Sequence, residues 1–165
     1  HQRSSADGVP YRLQQIALSS GVRVMDDYAH HPTEIRATLA AARQEYGAAR
    51  LWCVFQPHQC SRTRLLFSDF VTAFHDADHV IIPDIYSVRD SEADRQAIHA
   101  RDLVNGILDH GGAAEYIPAF DGVTDRLAQS VREGDIVLTM GAGPVDRVAR
   151  DLARRLETRT HVAAA

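Results

Sequence analysis

Short apolar runs, rich in β-branched and aromatic residues, alternate along this chain with segments whose apolar residues recur at helical spacing. Most neighbouring runs are far enough apart for one helix between them, which is typical of βαβ units in a mostly parallel sheet. The alternation predicts an α/β fold, a three-layer sandwich around about six strands, with an additional N-terminal edge strand over Tyr11–Leu18. The other predicted strands are Val22–Met25, Leu51–Phe55, His79–Pro83, Ala114–Ile117, Asp135–Met140 and, more weakly, Arg159–Val162.

Proline, glycine and small polar residues mark the predicted helix boundaries. Pro32 suits the first position of a helix that Gly47 can end. Ser61 is predicted to be the N-cap of a second helix. The polar stretch Ser87–Ala97 breaks the alternation and is predicted to be an exposed excursion from the end of a strand. Further helices are predicted to end at Gly111-Gly112, to run over Thr124–Arg132 and to start at Pro144.

Length and charge limit the class of protein. The 165 residues fit one domain, with residues 1–10 predicted to be a linker or domain boundary and residues 11–165 the domain itself. A net charge of −4 and a sequence pI near 6.1 argue against a nucleic-acid or anionic-membrane binder. No apolar run approaches the roughly 18 residues of a membrane span. Two cysteines close together, Cys53 and Cys60, do not make a disulfide framework, so the predicted location is the cytoplasm.

The basic residues exclude several kinds of phosphate and nucleophile chemistry. All 18 of them are arginine, and the chain contains no lysine. A P-loop lysine, a Schiff-base lysine and a Ser-Lys nucleophile are therefore absent from this sequence. If the protein handles a nucleoside triphosphate, the main phosphate cradle must lie on another polypeptide segment.

Two aspartates and two histidines follow the first core strand, directly before a predicted helix. A helix N-terminus offers free N–H donors and a partial positive charge, so it suits a phosphate. Asp27 could accept hydrogen bonds from a ribose diol. The alternative is structural: His31 caps the helix and Asp26 ties down the strand end. A metal site at His30 and His31 is less favoured, because no ligand motif accompanies them.

The second predicted strand is followed by a loop that carries cations. His58 and Arg62 lie close to a helix start and are predicted to bind an anionic substrate, since an arginine fork binds carboxylates and phosphates. Arg64 is interpreted as solvated, and Cys53 as a core residue. Cys60 has no adjacent base that would make it a nucleophile.

A short glycine-containing stretch, Gly141–Gly143, follows the last predicted strand. It resembles part of a dinucleotide fingerprint but lacks the third glycine. A phosphate contact and a tight turn that permits close packing are equally compatible with it. An NAD-dependent oxidoreductase domain built on this stretch is the lowest ranked hypothesis.

Two motifs identify a resemblance to a known family. DDYAHHPTE at 26–34 and FQPHQCSRTR at 55–64 resemble the C-terminal domain of the Mur ligases, and within it the branch that joins L-alanine to UDP-N-acetylmuramate. Stretches at 69–86, 100–107 and 137–143 are similar in collinear order, so the resemblance covers most of the chain from Tyr11 onward. The alternatives are the C-terminal domain of a murein-peptide recycling ligase and a free-standing nucleotide-binding module.

The resemblance implies the Rossmann-like third domain of a cytoplasmic enzyme of peptidoglycan biosynthesis. In that family an N-terminal domain holds the UDP-sugar, and a central domain carries the P-loop and most magnesium ligands. ATP phosphorylates the sugar carboxylate, and the amine of L-alanine attacks the acyl phosphate. The third domain is expected to contribute ATP and amino-acid contacts and to be inactive alone, with ATP and Mg²⁺ as the required cofactors.

The resemblance also implies roles for individual residues of this chain. Asp27 would bind the ribose, with Tyr28 and His30 completing the nucleotide contacts. His58, Gln59 and Arg62 would bind the substrate amino acid, with His30 and Arg62 at the reacting centre; no metal site is expected on this chain. Gln59 stands where the family usually has arginine, Cys60 replaces an aromatic residue, and GAGP replaces GAGD.

Overall fold

The structure, a computed structural model, describes residues 13–164. The predicted linker at 1–10 and the first two residues of the predicted edge strand lie outside the described residues. Strands and helices alternate, as the apolar runs predict. The elements are β1 Gln14–Ser19, β2 Val22–Asp27, α1 Pro32–Tyr46, β3 Leu51–Phe55, α2 Cys60–Leu65, α3 Phe67–Val71, β4 His79–Ile82, α4 Glu92–Ala97, α5 Ala100–Asp109, β5 Ala114–Tyr116, α6 Phe120–Ser130, β6 Ile136–Met140 and α7 Asp146–Ala164.

The six strands form one sheet in the order β1-β2-β6-β3-β4-β5. β1 runs antiparallel to β2 at the edge, and all the other neighbours are parallel. β6, the last strand along the chain, lies between β2 and β3. The carboxyl ends of five parallel strands therefore meet at one edge of the sheet, where α/β proteins bind their ligands.

Alternation of side chains along the buried strands builds two cores, one on each face of the sheet. In β3, Cys53 and Phe55 face the core that contains α1, α3 and α5, whereas Trp52 and Val54 face the core that contains α6 and α7. The two helical layers and the sheet between them make the predicted three-layer α/β sandwich. No helix within residues 13–164 is long and apolar enough to cross a membrane.

The start of α1 confirms the local prediction. Pro32 occupies the first turn, and the His31 side chain accepts a hydrogen bond from the backbone N–H of Thr33 at 3.2 Å. Glu34 accepts one in return from the backbone N–H of His31 at 3.1 Å, which completes a capping box. At the other end Gly47, with φ of 61°, ends the helix. His31 is therefore a structural cap.

Several predicted elements and boundaries differ from the structure. The helix predicted over Thr124–Arg132 is α6, which begins four residues earlier, at Phe120, and ends at Ser130. The weak strand at Arg159–Val162 is part of α7, because Leu152 and Leu156 continue the helical spacing into the core and β1 already covers that edge of the sheet. α7 itself begins at Asp146 instead of Pro144. Ser61 is not the N-cap of the second helix; Gln59 holds that position, and the helix divides at Leu66 into α2 and α3. The polar excursion at 87–97 contains the short helix α4.

Candidate functional site

A cleft of about 710 Å³ opens at the carboxyl edge of the sheet. Its walls come from the loops that follow β2, β3, β4 and β6, the position at which sequence reasoning placed the ionisable residues. Tyr28 and His58, two predicted site residues, lie on its surface, and the predicted Gly141–Gly143 turn forms another wall. The remaining lining residues are Gln14, Asp26, Tyr86, Val88, Arg89, Pro144, Asp146 and Arg150.

The loop after β3 is joined to the loop after β4 by backbone hydrogen bonds. The N–H of Tyr86 donates to the carbonyl of Pro57 at 2.9 Å, and the N–H of Gln59 donates to the carbonyl of Tyr86 at 2.8 Å. The ring of His58 packs against that of Tyr86, with centroids 5.3 Å apart. These contacts extend the pairing of β3 and β4 beyond the sheet and hold His58 at the mouth of the cleft.

Asp90 caps α2 from the neighbouring loop. Gln59 at the N-cap makes no side-chain capping bond. Instead, the Asp90 carboxylate accepts hydrogen bonds from the N–H of Cys60 at 2.6 Å and from the hydroxyl of Ser61 at 3.2 Å. Partial burial opposes ionisation of Asp90, but hydrogen bonds from Cys60 and Ser61 hold its pKa below the usual value. The start of α2, which carries Arg62, is thus fixed by a residue of the loop after β4.

His58 lies in a positively charged environment. Burial lowers its pKa, and positive charge at Arg62, His30 and Arg89 lowers it further, whereas Asp90 opposes the change. Its Nδ1 atom is buried and has no hydrogen-bond partner among residues 13–164. An imidazole with this pKa is neutral near pH 7 and keeps a lone pair for a hydrogen-bond donor.

The loop after β2 brings Tyr28 to the rim of the cleft, with His30 beside it. Their rings make an edge contact with centroids 5.4 Å apart, and His30 Nδ1 lies 3.1 Å from the carbonyl of Tyr28. Glu34, one helical turn further on, lies 3.7 Å from the same imidazole atom. Because Tyr28 of this loop and His58 of the loop after β3 both line the cleft, the two predicted loops converge on one rim.

Asp27 lies under this rim and is 2% exposed. Its carboxylate accepts hydrogen bonds from the N–H of Ala29 at 2.8 Å and of Leu13 at 3.0 Å, and from the hydroxyl of Thr38 at 3.2 Å. Its neighbour Asp26 reaches the cleft surface and accepts a 2.7 Å bond from Thr139. Asp27 therefore ties the β2 end to α1 and to the segment before β1.

The glycine turn after β6 packs closely on the adjacent loops. A Cβ atom on Gly141, which has φ of 153°, would lie 3.0 Å from the carbonyl of Gln56. A Cβ on Gly143 would lie 3.1 Å from the Gln56 side chain and 3.2 Å from the ring of Tyr86. The turn needs glycine for this close packing, and at the same time it lines the cleft.

The two cations after β3 differ in their surroundings. Arg62 is half-buried and makes no ion pair within residues 13–164, whereas Arg64 is exposed on the outside of α2, as predicted. Cys60 is buried, and burial raises the pKa of its thiol to about 11, so it stays protonated and unreactive. Cys53 is fully buried in the core, as predicted.

Sequence reasoning missed several cleft residues. Val88 and Arg89 come from the polar stretch that was predicted to be an excursion, and Arg150 comes from the first turns of α7. The positive φ of Arg89, 82°, has no signature in a single sequence. Within residues 13–164 no cluster of three or more His, Cys, Asp or Glu side chains could hold a metal ion.

Comparison with known proteins places this chain in a family. A model described as the Mur ligase glutamate ligase domain matches residues 11–143 of the chain. The chain belongs to the Mur ligase family. Because both predicted motifs lie within the match, their family resemblance is confirmed. Membership favours a ligase domain over the oxidoreductase hypothesis for the glycine turn.

The curated relatives of this Mur ligase domain are similar in sequence but much longer. It is 45% identical over 144 residues to the UDP-N-acetylmuramate–L-alanine ligase of Acetivibrio thermocellus, and 47% identical over 145 residues to that of Alkaliphilus metalliredigens. The alignments cover 87% and 88% of this chain but 30% and 31% of those proteins. The chain thus spans less than a third of the length of these relatives.

Solved structures with the same fold include two ligases. The UDP-N-acetylmuramate-alanine ligase of Thermotoga maritima matches 92% of this chain and 31% of its own, with a TM-score of 0.74 and 25% identity. A domain from a Haemophilus ducreyi protein, described as a UDP-N-acetylmuramate:L-alanyl-γ-D-glutamyl-diaminopimelate ligase, matches 88% of this chain and 99% of its own, with a TM-score of 0.66 and 25% identity. The second comparison is with a domain solved as a separate chain.

Proposed function

We propose that residues 11–165 are the C-terminal domain of an ATP-dependent ligase that joins L-alanine to UDP-N-acetylmuramate in peptidoglycan biosynthesis. The observation that carries the proposal is the convergence of the DDYAHHPTE and FQPHQCSRTR loops on one cleft, which Tyr28 of the first loop and His58 of the second both line. Similarity to curated ligases of that name supports the choice of substrates.

The proposed reaction forms an amide through an acyl phosphate. The γ-phosphoryl group of ATP passes to the carboxylate of UDP-N-acetylmuramate, and ADP leaves. The neutral amine of L-alanine then attacks the carbonyl carbon, loses a proton, and displaces inorganic phosphate. Negative charge builds on the tetrahedral intermediate, so cations that are already in place lower the barrier.

The amino acid is proposed to bind between the loop after β3 and the cleft. Arg62, which has no ion pair within residues 13–164, offers a planar fork to the carboxylate of L-alanine. His58 Nδ1, buried and unpartnered, accepts a hydrogen bond from the amine. Gln59 lies between them in sequence and adds a neutral amide for hydrogen bonding. These three residues thus form the proposed substrate contacts.

The nucleotide is proposed to bind at the loop after β2. His30 directly precedes the capped N-terminus of α1, and its imidazole is proposed to donate a hydrogen bond to a phosphate. Tyr28 lines the cleft and offers a ring face to the nucleoside. The Asp27 carboxylate is proposed to accept hydrogen bonds from the ribose hydroxyls. Each of its two oxygens can accept more than one hydrogen bond, so this contact can be made in addition to the internal ones. We propose that His30 and Arg62 lie closest to the reacting phosphoryl group.

The rest of the active site is proposed to lie on the N-terminal and central domains of the same enzyme. The chain has no P-loop lysine, and its described residues present no metal-binding cluster, so the magnesium ligands are proposed to lie mainly on the central domain. Closure of the domains would exclude water from the acyl phosphate. Because its proposed substrates are ATP and a UDP-sugar, we place the enzyme in the cytoplasm.

The proposal is tested with the full-length protein that contains this chain. We expect ADP and UDP-N-acetylmuramoyl-alanine to form only when ATP, UDP-N-acetylmuramate and L-alanine are all present. Arg62→Lys should raise the KM for L-alanine at least tenfold, because a point charge does not replace a bidentate fork. Arg64→Lys on the exposed side of α2 is the matched control and should leave that KM unchanged. Absence of alanine-dependent product, or identical KM values for both variants, would refute the proposed site.

A further inference from the structure

Arg89 has an unusual backbone conformation at the wall of the cleft. Its φ of 82° lies in the left-handed region. This conformation costs energy for a residue that has a side chain, but not for glycine. Such conformations persist where the surrounding structure imposes them, and they occur often at ligand sites. The side chain is exposed, and it lines the cleft together with His58, Tyr86 and Gly143.

Anchors on both sides hold this conformation. Tyr86 is joined to the loop after β3 by the two backbone bonds already described. Asp90 caps α2 through Cys60 and Ser61, and its own N–H donates to the carbonyl of Ser87 at 3.0 Å. The segment between the anchors is therefore a short turn, and the position of Arg89 follows from both attachments.

The charge around Arg89 favours an oxyanion. Arg89 and Arg62 both act on His58 with positive charge, and neither makes an ion pair within residues 13–164. The acidic groups that line the cleft or flank Arg89 have other partners: Asp90 caps α2, Asp146 lies 3.3 Å from Arg150, and Asp26 accepts a hydrogen bond from Thr139. A guanidinium without an ion pair at the wall of a cleft, as Arg89 has, is suited to bind carboxylate or phosphate oxygens.

We propose that Arg89, at the wall of the cleft, binds an oxyanion of the substrates and is a second substrate-binding guanidinium in addition to Arg62. This inference rests on the proposed ligase function and adds a substrate-binding residue to it. The shared chemistry is a bidentate contact to a carboxylate or a phosphoryl group. The possible sources are the carboxylate of the incoming amino acid, the phosphates of ATP, and the anionic groups of UDP-N-acetylmuramate.

The experiment uses Arg89→Gly and Arg89→Lys in the full-length protein, with Arg132→Ala, in the segment after α6, as the control. Arg132 is exposed and lies outside the cleft, so its replacement by alanine removes one positive charge, as Arg89→Gly does. Glycine tolerates the positive φ, so Arg89→Gly should keep or raise the Tm while the KM for one anionic substrate rises at least tenfold. Arg89→Lys should give an intermediate KM, and Arg132→Ala the unchanged value.

The separate KM values identify the oxyanion: a rise for L-alanine assigns its carboxylate, a rise for ATP assigns its phosphates, and a rise for UDP-N-acetylmuramate assigns the anionic groups of that substrate. Unchanged KM values for Arg89→Gly in an active enzyme overturn the inference and leave the proposed function intact. An inactive wild-type enzyme refutes the proposed function instead. In that case, NMR titration of the full-length protein with each of these three compounds still tests Arg89. The Arg89 Nε–Hε signal should move with one of them while the Arg132 signal stays, and no movement overturns the inference.

Discussion

The carboxylate of Asp90 lies 2.6 Å from the backbone nitrogen of Cys60, a residue 30 positions earlier in the chain. This contact caps α2 from outside, because Gln59 provides no side-chain cap. It couples the loop after β4 to the helix that carries Arg62. The two loops therefore form one unit, and a change in either should alter the geometry of the other.

Removal of the Asp90 carboxylate should impair amino-acid binding as well as stability. Asp90→Ala is expected to lose about 1 kcal/mol of stability, the usual value of a helix cap. It should also raise the KM for L-alanine several-fold in the full-length enzyme. Ser91→Ala is the control, because the Ser91 hydroxyl caps α4 through the N–H of Asp94 and makes no hydrogen bond to α2 within residues 13–164. Equal KM values for the two variants would mean that Asp90 serves stability alone.

Asp27 should serve both the fold and the nucleotide. Asp27→Ala is expected to raise the KM for ATP in the full-length enzyme and also to lower the Tm, since three internal hydrogen bonds are lost. Thr38→Val removes one of these bonds and keeps the carboxylate, so it should lower the Tm without changing the KM for ATP. If both variants change the Tm alone, the ribose contact is excluded.

The lowered pKa of His58 should make the folded chain less stable in mild acid. As the pH falls below about 6.5, the unfolded chain takes up a proton at this imidazole that the folded chain binds only at lower pH. The free energy of unfolding, measured by urea denaturation between pH 8 and pH 5, should therefore decrease. The free energy of unfolding of the His58→Gln variant should decrease less steeply. That of the His161→Gln variant, which is changed at an exposed position, should follow the wild type. Parallel curves for all three proteins would contradict the pKa shift.

At the opposite edge of the sheet, Asp135 should contribute to stability and not to activity. Its buried carboxylate binds Arg50 at 2.6 Å, Trp52 Nε1 at 3.1 Å and the N–H of Arg132 at 2.9 Å. Asp135→Ala is expected to cost about 3 kcal/mol, because it leaves a buried network without its acceptor. Asp121→Ala at an exposed surface pair should cost less than about 0.5 kcal/mol.

Asp135 also makes the stability depend on pH, but through its hydrogen bonds and not through burial. Burial opposes its ionisation, but hydrogen bonds from Arg50, Arg132 and Trp52 hold its pKa below the usual value. Its contribution is therefore present at neutral pH and is lost as the pH falls through about 4 and below. Urea denaturation at pH 7 and pH 3 should give a smaller difference for Asp135→Ala than for the wild type. An equal difference for both would argue that the network contributes little.

Much of the fold is predictable because its signals are local. The apolar runs of β2, β3 and β6 are each complete within a few residues. The capping box formed by His31 and Glu34 spans only four consecutive residues. The error at Arg159–Val162 arose where β-branched residues lie in a long helix. There the neighbouring turns, with Leu152 and Leu156 packed in the core, decide the conformation.

By itself, the sequence determined the α/β class, the order of the elements, the two motif loops and their family resemblance, because these depend on spacing and residue type along the chain. Only the tertiary structure decided that Asp90 caps α2, that Asp27 lies beneath the rim, and that Arg89 faces the cleft. The physical reason is that each of these contacts joins segments that are distant in sequence. The loops at the ends of neighbouring parallel strands come together only when the sheet has formed.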